Sequence, residues 1–232
     1  MNTYMIIQKH PTNHTKSTKK PNPNQYDTSC RPETNSSTIL FAYSNDLPPR
    51  TVLDTWNEIL SGEGYFTWFG SVRFDIQNMN MTFQNHTLDV TSIIENNLPN
   101  PDQGFQSSSI GSNVFDVIEK FFSNTEAPVC GSRILILLKR YPKESDNSRL
   151  VSLIRSHHSI VHVVTSATPS GGSQPKAMYS VASQTNGMGL IEYDKYFPNF
   201  RSTPSKISIC VGTVLQILEI SKRMRMIFVI LW

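Results

Sequence analysis

The second half of the chain alternates short apolar runs with amphipathic stretches, and this alternation restricts the fold more than any other feature of the sequence. The run 133–138 (RILILL) is apolar at five consecutive positions, which is typical of a strand buried on both faces of a sheet. A helical pattern over 146–157 leads to a second strand at 160–164, and another around 177–182 leads to a last strand at 190–193. This βαβαβ order predicts an α/β fold with a doubly wound, mainly parallel, Rossmann-like sheet and helices on both faces.

The first half of the chain adds further strands and helices. The apolar run 39–43 passes into a polar loop, as a buried strand does, and apolar positions at helical spacing over 52–60 predict a helix. Apolar residues alternate at 72–76 and again, in a new phase, at 79–83. This change of phase predicts a bent strand or a hairpin near an edge of the sheet.

A polar loop and a further helix precede the central strand. The loop covers 99–109, and apolar residues at helical spacing from Ile110 to Phe121 predict the helix. We expect the strands at 39–43, 134–138 and 160–164 to be parallel neighbours in that order, with 190–193 outside the last.

The two ends of the chain differ from its middle. Its 232 residues suffice for one α/β domain, which we place at 38–200. Residues 1–37 are mostly Asn, Thr, Lys, Pro and Ser, which predicts a disordered leader or linker without a usable signal peptide. In the segment 201–232 the apolar stretch 207–220 is too short to cross a bilayer. We expect a last core helix there, or an aberrant terminus, rather than a membrane anchor.

Charge and common motifs exclude several function classes. A formal net charge of +3 is too mild to indicate a nucleic-acid partner. Neither a G-x-x-x-x-G-K-[ST] loop, a G-x-G-x-x-G loop nor a G-x-S-x-G elbow occurs, so Ser170-Gly171-Gly172 is interpreted as a plain loop. His162 lies within a strand and is interpreted as structural, whereas Asp75 ends a strand and is expected to face solvent or to cap a helix.

Five segments together resemble the von Willebrand factor A-like domains. They are ILFAYSNDL at 39–47, GSNVFDVIEKFF at 111–122, ILILLKRY at 134–141, IVHVVTS at 160–166 and TNG at 185–187. The resemblance spans about two-thirds of the chain and points in particular to a divergent nematode group that is often found on extracellular, multi-domain or lectin-associated proteins. It implies a sheet whose ligand face lies at the carboxyl ends of the strands.

The resemblance also implies where a metal would bind, and the residues there depart from the pattern. Metal-binding members hold a divalent cation with an Asp-x-Ser-x-Ser loop after the first strand, a Thr of a second loop and an Asp after the central strand. Here Ala42 stands in the place of the leading Asp, Ser44 keeps its place, and Asp46 replaces the second Ser. The loop after the central strand carries Arg140 instead of an Asp. We therefore expect neither a metal nor another cofactor.

Arg140 and Asp46 come from the two loops that would share the ion. We expect a charge-assisted pair that ties these loops together, with the alternative that both side chains point to solvent. The predicted ligand face consists of loop residues at the carboxyl edge: Ser44, Asn45, Asp46, Ser109, Ser112, Arg140 and Tyr141.

Two cysteines and four sequons bear on where the protein acts. Cys30 precedes the first strand and Cys130 the central one, so a disulfide that closes a loop of about 100 residues is one interpretation and two free thiols the other. Cys210 is left over. Glycosylation sequons occur at Asn13, Asn35, Asn80 and Asn85, about as many as chance gives in such a chain, so they support secretion only weakly.

Taken together, these features predict a non-enzymatic extracellular module that binds a protein or a glycan through its carboxyl-edge loops without a metal. A Rossmann-like enzyme with an unrecognised site is the alternative, and a fragment of a larger secreted protein is a third interpretation. We expect neither a nucleic-acid partner nor a membrane anchor.

Overall fold

The computed structural model describes residues 30–32, 36–61 and 66–201. Six strands alternate with five α-helices, and 3-10 turns follow α2 and β6. In chain order the elements are β1 (Thr38–Ser44), α1 (Pro49–Leu60), β2 (Trp68–Phe74), β3 (Met81–Gln84), α2 (Thr87–Asn96), a 3-10 turn (Pro101–Gln103), α3 (Val114–Phe122), β4 (Arg133–Leu138), α4 (Ser148–Ser156), β5 (Ile160–Ser166), α5 (Ala177–Gln184), β6 (Gly189–Glu192) and a terminal 3-10 helix (Asp194–Arg201).

The strands form one six-stranded sheet in the order β3-β2-β1-β4-β5-β6. All neighbours are parallel except β2 and β3, which form an antiparallel hairpin at one edge. The predicted order of the four strands around the centre is therefore confirmed. The change of phase near residue 79 marks the hairpin.

Helices cover both faces of the sheet, as the βαβαβ pattern predicted. Alternate residues of the central strands face opposite ways: Leu40 and Ile136 pack toward α3, α4 and α5, whereas Phe41 and Leu137 pack toward α1, α2 and the terminal 3-10 helix. Burying each such side chain contributes about 1.5 to 3 kcal/mol. The doubly wound α/β class is thus confirmed.

One predicted helix begins later than the sequence pattern suggested. We expected Ile110 in α3, but the helix starts at Val114 and the Ile110 side chain is exposed. The backbone N–H of Val114 donates to the Ser112 hydroxyl, which fixes the helix start there. Upstream, the Ile110 carbonyl accepts a hydrogen bond from Arg140, so the loop is held outside the helix.

A disulfide fastens the amino end of the central strand. Cys30 and Cys130 are bonded, with Cα atoms 5.4 Å apart, and both are buried. Close by, the Thr38 N–H donates to the Ser132 hydroxyl and the Thr38 hydroxyl donates to the Pro128 carbonyl at 2.6 Å. The end of the predicted leader is therefore anchored at Cys30.

Several sequence predictions lie outside the described residues. They concern most of the leader, the apolar stretch 207–220, Cys210 and the sequons at Asn13 and Asn35. Over the ranges that are described, no helix combines the length and the apolar character needed to cross a bilayer.

Candidate functional site

The carboxyl ends of β1, β2 and β4 bring together one cluster of polar side chains. Ser44 is the last residue of β1, Asp75 directly follows β2, Arg140 lies two residues beyond β4, and Ser112 stands just before α3. Parallel strands end at the same edge of a sheet, so residues far apart in sequence meet there.

Arg140 is the centre of this cluster. Its side chain is 3% exposed, and its Nε donates to Asp46 Oδ2 at 2.8 Å. One terminal nitrogen donates to the carbonyls of Ser107 and Ile110 at 2.8 and 2.9 Å, and the other donates to the Phe105 carbonyl at 3.0 Å. The guanidinium therefore joins the loop after β1 to the segment 105–110, which we call the platform loop.

The loop after β5 also contacts Asp46. The Ser170 hydroxyl donates to the same Asp46 carboxylate oxygen. The next residue must be glycine, because a Cβ at Gly171 would lie 2.5 Å from an Arg140 nitrogen and 2.6 Å from the Ser108 carbonyl oxygen. Gly172 has φ +79°, a conformation that L side chains rarely adopt. The Ser170-Gly171-Gly172 segment thus packs against Arg140.

Asp75 was expected to face solvent or to cap a helix, and this prediction is wrong. The residue is fully buried, and its carboxylate accepts hydrogen bonds from the hydroxyls of Ser44 and Ser112. Its φ of 63° turns the chain at the end of β2, and its N–H donates to Asn113 Oδ1 at 2.7 Å. The expectation rested on the position of Asp75 at the end of a strand, but the turn there leaves the residue buried. Burial raises the pKa of Asp75 to about 7, while the two hydroxyls oppose the rise.

The remaining sequence-predicted residues divide into two groups. Ser44, Asp46, Ser112 and Arg140 belong to the cluster. Outside it, the Asn45 side chain exchanges hydrogen bonds with the backbone of Asn100, Ser109 is exposed and contacts Ser107, and the Tyr141 hydroxyl donates to the Ser166 carbonyl. Ala42 lies two residues before the end of β1 and packs in the core, so it does not reach the loops.

A second polar cluster, which sequence reasoning missed, lies on the other side of β4. Lys139 Nζ donates to Asp194 Oδ2 at 2.7 Å and to the hydroxyls of Ser166 and Thr168 at 3.1 and 3.0 Å. The Ser166 hydroxyl donates to the other Asp194 oxygen at 2.5 Å. The consecutive residues Lys139 and Arg140 therefore reach carboxylates on opposite sides of the central strand.

The residues at the carboxyl edge do not fit a divalent cation. Mg²⁺ needs about six oxygen ligands in near-octahedral arrangement. The positive guanidinium of Arg140 contacts Asp46, and both oxygens of Asp75 accept from hydroxyl groups. Within the described ranges, no three His, Cys, Asp or Glu side chains are grouped so that they could hold a metal.

A cavity of about 230 Å³ lies beside β5 and β6. Its lining contains one carboxylate and is otherwise mainly apolar: Val164, Leu190, Glu192, Tyr196, Asn199 and Phe200. None of the sequence-predicted site residues lines it.

No family model matches this chain, and no curated protein matches it. Solved structures similar to it include the conserved hypothetical protein BatB from Bacteroides thetaiotaomicron, at 12% identity and a TM-score of 0.45 over 72% of this chain and 98% of that one. An aerotolerance-related membrane protein from Bacteroides fragilis NCTC 9343 is similar at 11% identity and a TM-score of 0.48, over 67% and 91% of the two chains. The SpRpn10 VWA domain is similar at 10% identity and a TM-score of 0.48, over 76% and 100%. These similarities concern the backbone fold and not activity or ligand.

Proposed function

We propose that this chain is a non-enzymatic, extracellular interaction module of von Willebrand factor A-like type, which binds a protein or a glycan through its carboxyl-edge loops without a metal. The observation that carries the proposal is the position of Arg140. Its buried guanidinium occupies the meeting point of the loops and satisfies its hydrogen bonds within the protein.

The crevice at this edge is closed by its own side chains. Ser44 and Asp75 are fully buried, and Arg140 is nearly so. Arg140 therefore contacts Asp46, and Asp75 contacts two hydroxyl groups of the protein, which supports binding over catalysis.

Above this closed crevice lies an exposed surface. Residues 106–110 of the platform loop are exposed, including the apolar side chain of Ile110. Arg140 holds three of the loop's carbonyl groups, so the loop is ordered before a partner arrives. Preorganisation of this kind lowers the entropic cost of binding.

The extracellular part of the proposal is supported by the Cys30–Cys130 disulfide, because such bonds persist mainly in oxidising compartments. The nematode and lectin-associated affiliation belongs to the proposal on the sequence resemblance alone.

Calorimetric titration with Mg²⁺ and Mn²⁺ tests the metal independence. We expect no saturable heat, because the added cation would have to displace the guanidinium from Asp46. Saturable binding in the micromolar range that is lost in Ser44→Ala or Asp46→Asn would contradict this part.

The binding surface is tested with an array of glycans and secreted or cell-surface ectodomains, probed in buffer containing EDTA. Ile110→Asp places a charge on the platform loop and should abolish partner binding. Ile191→Asp is the matched control, since Ile191 is an exposed isoleucine on β6. Binding that EDTA abolishes, or that only Ile191→Asp abolishes, would contradict the proposed surface.

Turnover of a small molecule that Asp75→Asn abolishes would favour the enzyme alternative.

A further inference from the structure

Two Asn-x-Thr triplets bracket the edge strand β3. The sequence Asn80-Met81-Thr82 begins at the residue before the strand, and Asn85-His86-Thr87 begins at the residue after it. Both asparagines are exposed. The two sequons within the described residues are therefore accessible and lie at opposite ends of one strand.

β3 is an open edge of the sheet. It pairs with β2 on one side, and no strand of the described residues lies on the other. An unpaired strand edge is a template for addition of a strand from another chain, and proteins commonly protect such edges with charge, proline or a covering element. The sequence of β3 is Met-Thr-Phe-Gln, which has neither a charge nor a proline.

Side-chain contacts hold β3 in place against β2 and the core. Met81 is buried, Phe83 packs against the core, and the Thr82 hydroxyl contacts the Ser71 hydroxyl of β2 at 3.0 Å. The strand is therefore fixed in register, and groups at its two ends are placed to protect its outer edge.

We propose that Asn80 and Asn85 are N-glycosylation sites, and that their glycans shield the edge of β3. This inference rests on the extracellular location in the proposed function. In the modification, the side-chain amide nitrogen forms a bond to the anomeric carbon of a lipid-linked oligosaccharide. The bond from that carbon to the lipid pyrophosphate breaks, the pyrophosphate leaves, and the amide nitrogen loses one proton.

Glycan occupancy is measured on the full chain, fused to a secretion signal and to a reporter sequon, and produced in cultured animal cells. Only chains that carry the reporter glycan are scored, because they have entered the secretory pathway. With Asn13 and Asn35 changed to Gln, we expect two glycans besides the reporter. Asn80→Gln and Asn85→Gln should each remove one, whereas Asn78→Gln, at an exposed asparagine outside any sequon, should remove none. Chains that carry the reporter glycan alone would overturn the inference.

Shielding is measured by sedimentation velocity. The double variant Asn80→Gln/Asn85→Gln should associate as its concentration rises, and adding Gln84→Lys, which places a charge on β3, should suppress that association. A double variant that stays monomeric like the glycosylated protein would overturn the shielding.

The array experiment separates this inference from the proposed function. A secreted domain that binds its partner but lacks both glycans contradicts the glycan sites alone. A glycosylated domain without a partner on the platform loop contradicts the proposed function and leaves the glycan sites standing.

Discussion

The two ends of the central strand β4 are held in different ways. At its amino end, Cys130 is bonded to Cys30, and the nearby contacts of Ser132 are neutral hydrogen bonds. At its carboxyl end, Lys139 and Arg140 each contact a carboxylate. The amino end therefore depends on redox state, whereas the carboxyl end depends on charge. The two ends should therefore respond differently to substitution.

The largest effect is expected from the amino end. The double variant Cys30→Ala/Cys130→Ala opens a loop with a sequence separation of 100 residues. In the chain-entropy model this lowers the free energy of unfolding by about 4 to 5 kcal/mol. Urea denaturation at pH 5 and pH 8 measures it, and the loss should be equal at both pH values. Wild-type protein treated with a reductant is the control, and a loss that differs between the two pH values would contradict the comparison.

At the carboxyl end, Arg140→Ala should lower the free energy of unfolding by about 3 to 5 kcal/mol, as expected when one partner of a buried ion pair is removed. Asp46 then stays mostly buried beside three carbonyl groups that have lost their donor. Arg50→Ala is the matched control, because Arg50 forms an ion pair of the same 2.8 Å length with Asp54 but is 85% exposed. We expect no measurable change for it. Equal losses in the two variants would show that burial of Arg140 does not matter.

The third prediction concerns the pH dependence of stability. Two buried groups, Asp75 and His162, change the free energy of unfolding in opposite directions as the pH changes. The folded protein holds a proton on Asp75 up to a pKa of about 7, against an ordinary 3.8, so the stability from this group is lost as pH rises between these values. Burial, helped by Arg133, lowers the pKa of His162 from 6.5 to about 4, so the stability from this group is lost as pH falls through that range. The two contributions largely cancel in the wild type.

When one of the two groups is replaced, the pH dependence of the free energy of unfolding should reflect the other group alone. In Asp75→Asn the free energy of unfolding should fall as pH is lowered from 6.5 to 4.5, and in His162→Gln it should rise, in each case by about 2 to 3 kcal/mol. Chemical denaturation across this range measures both. Asp116→Asn, at an exposed aspartate, is the control. If the free energy of unfolding changes with pH in the same direction in both variants, the prediction that Asp75 and His162 have opposite effects is wrong.

The smallest effect is expected for Lys139→Ala, at about 1 to 2 kcal/mol, which is in the range for loss of hydrogen bonds to a charged group. The Lys139 side chain is 14% exposed, and Asp194 keeps the hydrogen bond from the Ser166 hydroxyl when the lysine is removed. A double-mutant cycle with Asp194→Asn isolates the pair. If Lys139→Ala costs as much as Arg140→Ala, the distinction between the two cations is wrong.

The order of the parallel strands could be predicted from the amino-acid sequence. Apolar runs, which are typical of strands buried on both faces, are easily distinguished from the pattern of amphipathic helices. Right-handed crossovers then leave few possible strand orders. The resemblance to von Willebrand factor A-like domains implied that the loops carrying Asp46 and Arg140 meet, so their pairing could be expected. The sequons at Asn80 and Asn85 could likewise be found from the sequence, but not their exposure at the two ends of β3.

The contacts between the loops, in contrast, could not be predicted before the fold was known. The burial of Asp75 depends on its positive φ and on Ser112 from 37 residues away, and Lys139 meets Asp194 across 55 residues. Local patterns carry the periodicity of strands and helices, but a loop has no period. Its contacts are set by where the sheet places the neighbouring loops, and that is known once the chain has folded.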